Sequence, residues 1–287
     1  MLKFFAHNRH TVQRLGFTAI TLMAVSTVLP IIGAIVFIIA KGGPGISWEF
    51  LSGFPHDGMR AGGILPAIIG TLYLTVGTAV FSVPLGIAAA IYLAEYAKDN
   101  RLTRLIRLAI ISLAGIPSVV YGLFGMGLFV LFLQFGTSIL AASLTLSIMT
   151  LPVIISTSEE ALRAVPQSFR TVSISLGATR WQTISRIILK EALPGILTGV
   201  ILGLERAAGE TAPILFTGAA FFLPRLPHSP FDATMALPYH LFVISTQVPE
   251  MPIRIQYGTA LVLIVFVLTM NVIATVIRSR ARAKRQW

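Results

Sequence analysis

The chain has 287 residues, of which 55% are hydrophobic and only 11% are charged, and its formal net charge is +11. This composition is typical of membrane proteins and excludes an ordinary soluble globular domain. Cysteine is absent, which excludes a disulfide framework and a thiolate metal site. We therefore expect an all-α membrane protein. The positions of the basic residues relative to the predicted spans then indicate whether the positive charge reflects membrane topology or a nucleic-acid site.

Six apolar stretches are long enough to cross the hydrocarbon core of a bilayer, which takes about 20 helical residues. The predicted spans are residues 16–40, 66–93, 108–133, 138–156, 195–218 and 258–277. A basic N-terminal segment (residues 1–15) and a basic tail (279–287) flank them. The first span is too long for the core of a cleaved signal peptide, and no small-x-small cleavage site precedes Lys41. A short helix is predicted at 233–245, because long structureless loops are rare.

Lysine and arginine are distributed unequally between the two sides of these spans. With the N-terminus inside, the inner segments hold three, four, five and five of the 22 basic residues, and the outer segments hold four. Loops rich in lysine and arginine face the cytoplasm. The pattern predicts that both termini are cytoplasmic, and this spread over several segments argues against a nucleic-acid site.

Residues 162–194 lie between the fourth and fifth predicted spans and resemble a hairpin of two short amphipathic helices. Phe169, Val172 and Leu176 form one apolar stripe, and Gly177 lies where a helix ends in a left-handed conformation. We interpret this hairpin as a docking element for a soluble partner. The alternative is an ordinary basic interhelical loop.

The second arm of the hairpin begins with a capping-box pattern, in which Thr179 is followed three residues later by Gln182. Its apolar residues are expected to share one helix face: Trp181, Ile184 and Ile188. Pro194 is predicted to end this arm before the fifth span begins.

The sequence LGATRWQTISRIIL, followed by LPGI, resembles the cytoplasmic EAA loop of ABC importer permeases. In that family the loop forms a coupling helix that inserts into a cleft on the ATPase subunit. The resemblance assigns to ATPase coupling Val172, Leu176, Gly177, Ala178, Thr179 and Trp181. The sequence departs from the family pattern in two places. Thr171, Val172 and Ser173 replace the glutamate–alanine–alanine triplet, and Lys190 replaces a proline.

The fifth predicted span carries three charged residues, Glu205, Arg206 and Glu210, although each costs about 2.5–3.5 kcal/mol in a membrane. At about 100° per residue, Arg206 and Glu210 share one helix face, and Glu205 lies about 100° from Arg206. Small residues spaced by four mark that same face as a close helix contact: Gly195, Gly199, Gly203 and Ala207. We expect a hydrated substrate pathway here, and a purely structural ion pair is the alternative.

Four segments extend the resemblance to the permease of the bacterial phosphate-specific ABC importer. They read GGILPAIIGTLYLTVGTAVFSVPLGIAAAIYLAEYA, GIPSVVYGLFG, LPVIISTSEEALRAVP and GETAPILFTG, and the last points to the A-type subunit of its two permeases. The resemblance implies a type I (MetI-like) permease fold in the bacterial inner membrane. It also implies a heterodimer with a second six-span permease, a homodimeric ATPase and a periplasmic phosphate-binding protein.

The chemistry of the charged patch is compatible with phosphate. The guanidinium of Arg206 has a fork-shaped set of N–H donors that can bind two phosphate oxygens. Glu210 could accept a hydrogen bond from the proton that phosphate retains near pH 7. Sulfate lacks that proton and would be repelled. Two glutamates against one arginine leave the patch net negative, so the second permease is expected to contribute further cations.

We therefore predict a permease that moves inorganic phosphate inward by alternating access. No G-x-x-x-x-G-K-[ST] motif is present, so ATP and Mg²⁺ are expected to be used by the partner ATPase, with no cofactor bound by this chain. The five histidines have no metal-site spacing. The alternatives are a permease for molybdate, sulfate or an amino acid, an ion channel or secondary carrier, and an intramembrane enzyme.

Overall fold

A computed structural model describes the backbone of residues 9–283 and the side chains of residues 13–280. Parts of the predicted N-terminal segment (1–8) and of the predicted tail (284–287) lie outside the described residues. The described chain folds into the following helices: α1 (Arg9–Gly42), α2 (Trp48–Ser52), α3 (Leu65–Ile91), α4 (Arg101–Ala114), α5 (Ser118–Gly125), α6 (Ile139–Arg163), α7 (Gln167–Ser175), α8 (Arg180–Thr183), α9 (Leu189–Gly209), α10 (Ala212–Thr217), α11 (Leu237–Thr246) and α12 (Ile253–Ala283).

Three helices contain or continue into a wider π-helical segment: Tyr92–Tyr96 after α3, Met126–Phe132 after α5, and Ile184–Ile188 between α8 and α9. The only strands in the described chain, β1 (Pro55–His56) and β2 (Ala61–Gly62), form a small antiparallel pair before α3.

Among the described residues, five helical segments are long and apolar enough to cross a membrane, and a sixth is obtained if the bent pair α4 and α5 counts as one span. The five are Gln13–Gly45, Leu65–Tyr96, Ile139–Arg163, Arg180–Gly209 and Ile253–Arg280. The prediction of an all-α membrane protein is confirmed.

Helices α3, α6 and α9 form the centre of the bundle, and α6 packs against both of the others. Gly199 of α9 lies so close to α6 that an added Cβ would overlap Thr157 Oγ1. At Gly195, an added Cβ would lie 2.5 Å from Ala161 Cβ. The predicted small-residue face is therefore the α6–α9 contact, where small residues let two backbones approach.

Helices α1 and α12 pack together at the edge of the bundle, where the rings of Phe37 and Tyr257 meet edge to face with centroids 5.5 Å apart. Most of their other apolar side chains face outward. Outward-facing apolar side chains of this kind are suited to contact with the hydrocarbon core of a bilayer, which contains no water.

The third predicted span (108–133) is not a single helix, which corrects that prediction. Helix α4 begins at Arg101, inside the predicted loop, and meets α5 at an angle of 102°. The break contains Pro117, which has no N–H to donate and restricts the preceding Ile116 to an extended conformation.

The fifth predicted span (195–218) and the helix end predicted at Pro194 are also corrected. Pro194 is buried inside α9, which runs on to Gly209, so the second hairpin arm and the span are continuous. The helix breaks at Glu210, which has extended backbone angles (φ −75°, ψ 140°), and α10 begins at Ala212. Pro213 explains the break, because its ring would clash with a helical carbonyl four residues earlier.

The short helix predicted at 233–245 is present as α11, which starts later, at Leu237. Its first backbone N–H donates to Thr71 Oγ1 of α3 over 2.8 Å, and this fastens the long loop before α11 to the bundle. This end of the molecule is opposite the hairpin, since α6 runs from Ile139 near the loop to Arg163 beside α7.

Candidate functional site

The hairpin consists of α7 and α8 joined at a left-handed turn. Gly177 has φ +83°, and its N–H donates to Ile174 O over 2.9 Å. The next N–H, of Ala178, donates to Ser173 O over 3.2 Å. No atom lies within 4 Å of a Cβ placed on Gly177, so backbone conformation, and not space, selects glycine.

The predicted capping box begins the second arm. Gln182 N–H donates to Thr179 Oγ1 over 3.2 Å, and Thr179 N–H donates to Gln182 Oε1 over 2.8 Å. Two backbone donors that a helix leaves unpaired at its start are thereby satisfied. The turn at Gly177 and the cap at Thr179 together set the direction in which the second arm leaves the first.

The outer surface of the hairpin is apolar. The side chains of Leu176 and Trp181 are 83% and 61% exposed, and Val172 is also exposed. A groove of about 500 Å³ lies on this surface, lined by Ser168, Phe169, Val172, Ser173, Leu176, Ala178 and Ile187. Large exposed apolar patches mark sites that bind another protein or a membrane.

The three apolar residues predicted to share one face of the second arm differ in burial. Ile184 and Ile188 are buried, whereas Trp181, one turn earlier, is 61% exposed. The exposure of Trp181 adds it to the outer apolar surface.

The charged patch lies at the break between α9 and α10. Arg206 Nε is 3.5 Å from Glu210 Oε1, and their side chains are 36% and 17% exposed. Glu210 is not on the helix face predicted for it, because α9 has ended, yet its extended backbone still returns the carboxylate to Arg206. The structure therefore brings these two residues together.

Glu205 does not join this pair. Its Oε1 is buried and has no hydrogen-bond partner, and it forms no ion pair with Arg206 among the described residues. The two glutamates of the patch thus occupy different environments.

The broken backbone at Glu210 and Thr211 lies within the bundle, where α10 packs against α5 and α6. Non-helical backbone at membrane depth is tolerated only where protein buries it or where it lines a water-filled cavity. An arginine and a glutamate beside such a break can donate to and accept from a small anion. In the described part of the chain, no group of His, Asp and Glu side chains is arranged to hold a metal ion.

The sequence profile of the family described as "Binding-protein-dependent transport system inner membrane component" matches residues 82–283. The chain belongs to this family. The matched residues include the whole hairpin and the charged patch.

Curated relatives agree with this membership. The chain is 32% identical over 281 residues to the probable ABC transporter permease protein YqgI of Bacillus subtilis, covering 93% of this chain and 95% of that protein. It is 38% identical over 231 residues to the phosphate transport system permease protein PstA 1 of Mycobacterium tuberculosis (79% and 73% covered). It is 34% identical over 238 residues to PstA of Xylella fastidiosa (82% and 81% covered).

Solved structures share the fold. A bacterial ABC transporter involved in the import of alginate matches with a TM-score of 0.64 at 15% identity, covering 95% of this chain and 98% of that chain. The MetNI methionine ABC transporter, in an inward-facing conformation, matches with a TM-score of 0.62 at 17% identity, covering 76% and 95%. The predicted type I permease fold is confirmed.

Two groups of residues next to the hairpin escaped the sequence analysis. Glu95 and Arg170 form a partly buried ion pair between the end of α3 and α7, and Glu159 of α6 pairs with Arg107 and Arg163. In the sequence analysis these arginines entered only the count of basic residues that predicts the cytoplasmic side. Arg107 lies 52 residues from Glu159 and Arg170 lies 75 residues from Glu95, and no spacing rule reaches that far. Arg163 lies four residues from Glu159 on the same helix.

Proposed function

We propose that this chain is the transmembrane permease subunit of an ATP-binding-cassette importer that moves inorganic phosphate into the cell by alternating access. The observation that carries the proposal is the 34–38% identity to phosphate transport system permeases over about four-fifths of the chain. The type I permease fold and the Arg206–Glu210 pair are compatible with that substrate.

The proposed complex contains a second six-span permease, a homodimeric ATPase and a periplasmic phosphate-binding protein. The chain itself has no phosphate-binding loop motif, so the ATPase would bind ATP and Mg²⁺. The excess of lysine and arginine supports a topology in which the hairpin and both termini are in the cytoplasm of a bacterial cell and the spans are in its inner membrane.

The hairpin is the proposed docking element. Its apolar groove and the exposed side chains of Leu176 and Trp181 would enter a cleft of the ATPase, since burying them removes apolar surface from water. The second arm runs without interruption into α9, so a displacement of the hairpin would reach the charged patch through one helix.

The substrate pathway is proposed to pass Arg206 and Glu210. Arg206 would donate hydrogen bonds to phosphate oxygens, and Glu210 would accept a hydrogen bond from the protonated oxygen of phosphate. Glu205, buried away from this pair, is expected to affect the pathway through the packing of α9 and not by direct contact.

Reconstitution tests the proposal. The chain, with its second permease and ATPase, is placed in vesicles, and uptake of radiolabelled phosphate is measured with the phosphate-binding protein outside and ATP inside. We expect ATP-dependent uptake that excess sulfate, molybdate or amino acid does not inhibit. Uptake of one of those solutes instead would contradict the phosphate assignment, and uptake without the ATPase would indicate a channel or secondary carrier.

A further inference from the structure

The π-helical end of α3, residues Tyr92–Tyr96, is held by four arginines of the described chain. A π-helix leaves carbonyls out of the regular α-helical ladder, and such segments are frequent at functional sites. The arginines come from α4, α6, α7 and α8, and we call them the arginine collar: Arg107, Arg163, Arg170 and Arg180.

Two members of the collar bind the first part of the segment. Arg107 Nη2 and Arg163 Nη2 donate to Leu93 O over 3.0 and 3.4 Å. Glu159 accepts from Nε of both arginines, over 2.8 and 2.9 Å. One carboxylate therefore orients two guanidinium groups toward the same carbonyl.

Arg170 binds the side chain of Glu95. Its Nη2 lies 2.6 Å from Glu95 Oε1, and its Nε lies 3.2 and 3.3 Å from the two carboxylate oxygens. The side chains of Arg170 and Glu95 are 15% and 7% exposed. Arg170 also donates to Val165 O and Leu162 O over 2.7 and 2.9 Å. It thus joins α7 to the ends of α3 and α6.

Arg180 approaches the same place from the other arm of the hairpin. Its Nη2 donates to Glu95 O, and its Cζ lies 4.8 Å from the centroid of the Tyr96 ring. Arg170 and Arg180, which lie in different arms on either side of Gly177, therefore both contact Glu95, and Arg180 also contacts Tyr96. Fork-shaped ion pairs and cation–π contacts fix orientation as well as distance.

The chain connects the hairpin directly to α6 and α9, but three helices, α4, α5 and α6, separate α3 from the hairpin in sequence. Apolar packing also joins α3 to this end of the bundle, through Ala90, Leu162 and Ile188. Apolar packing is non-directional, and it permits sliding that an ion pair of defined geometry resists.

We propose that the Arg170–Glu95 pair is the positioning link that makes the hairpin and the end of α3 move as one body. The inference rests on the proposed function of the hairpin. Movement of the docked ATPase would then displace α3 together with α6 and α9, and so all three central helices of the bundle. Without the link, α3 would be joined to the hairpin only by apolar packing and by the contacts of Arg180, and less of the force would reach it.

Glu95→Gln in the complete importer tests the link, because it removes the charge and keeps the shape. We expect ATP hydrolysis stimulated by the binding protein to stay within about twofold, while solute imported per ATP falls about tenfold, as for other residues that couple distant sites. Glu160→Gln is the control, because Glu160 is exposed on the last turns of α6. An unchanged ratio of import to hydrolysis, including a parallel fall of both, overturns the proposal.

The ratio is measured for whichever solute the parental complex imports. A wrong phosphate assignment would therefore appear in the parental complex, and a wrong role for the link would appear only in the variant.

A second experiment uses the absence of cysteine from the chain. The double variant Glu95→Cys/Arg170→Cys should show the same loss of import per ATP, and a short bis-maleimide reagent that bridges the two thiols should restore it. The single-cysteine variants, treated in the same way, are the controls. If bridging leaves import unrestored or lowers it further, the hairpin moves relative to α3 and the proposal is wrong.

Discussion

The hydroxyl groups of Ser173 and Thr183 lie 2.8 Å apart and are buried between the two arms of the hairpin. Ser173 occupies a position of the EAA triplet, where the resemblance supplies alanine. The bond joins the two arms next to the apolar groove, which Ser173 also lines, and it complements the turn at Gly177. Thr171, at the position of the missing glutamate, is exposed and hydrogen-bonds only within its own helix among the described contacts. The hairpin is therefore held by internal contacts that do not depend on the missing glutamate.

Gly177→Val should uncouple ATP hydrolysis from import. The left-handed backbone at φ +83° is unfavourable for a β-branched residue by about 1–2 kcal/mol, so the turn would reorient the second arm. Gly177→Asn is the matched control, because asparagine tolerates this conformation. The measurement is solute imported per ATP in vesicles. Equal coupling in the valine variant and the parent would count against the role of the turn.

Leu176→Ser and Trp181→Ser should each weaken association with the ATPase. Both side chains are exposed on the outer surface, so their loss should leave the fold unchanged and cost about 1–2 kcal/mol of binding, which is about 5- to 30-fold in Kd. Trp48→Ser is the control, since Trp48 is also an exposed apolar side chain but lies at the opposite end of the molecule. Titration of the ATPase onto the purified permease pair measures the effect. Equal Kd values for all three variants would place docking elsewhere.

Glu210→Gln should reduce discrimination of phosphate over sulfate by about tenfold, which corresponds to about 1.4 kcal/mol. A neutral amide no longer repels the fully ionised anion, and Arg206 loses its partner at 3.5 Å. Glu210→Asp keeps the carboxylate and should retain most of the preference. Competition of sulfate with phosphate uptake gives the ratio directly. Intact discrimination in the glutamine variant would leave the Arg206–Glu210 pair as a purely structural contact.

Gly199→Val should lower the thermal stability of the purified permease, because a Cβ at this position would overlap Thr157 Oγ1 of α6. Overpacking of a tight contact costs about 1–3 kcal/mol. Gly33→Val in α1 is the control, since no atom lies within 4 Å of a Cβ placed there. Apparent melting temperatures in detergent distinguish the two. Equal temperatures would mean that α6 and α9 can separate without loss of stability.

Local sequence patterns identified the features whose causes are local. The apolar stretches marked the span-length helices, Gly177 marked the left-handed turn, and Thr179 with Gln182 marked the capped start of the second arm. Each of these depends on residues only a few positions apart, so it can be predicted from the chain alone. The small-residue face of α9 belongs to the same class, although its partner on α6 could not be named.

Proline residues show where local rules failed. Pro194 was expected to end a helix, but burial against α6 keeps it inside α9, because tertiary packing compensates for one lost hydrogen bond. Pro117 and Pro213 do break helices, and they divide the third and fifth predicted spans. Whether a proline bends, breaks or continues a membrane helix depends on the neighbours that satisfy the freed backbone groups, and those neighbours are distant in sequence.

The amino-acid sequence by itself determined that this protein is a helical membrane permease with a capped, glycine-turned hairpin and three charges in its fifth span. Only the tertiary structure decided which charges from distant segments meet. It paired Glu95 with Arg170 and Glu159 with Arg107, and it gathered four arginines around the end of α3. Charge pairing depends on distance in space, and the bundle brings together residues that the sequence separates by 52 to 75 positions.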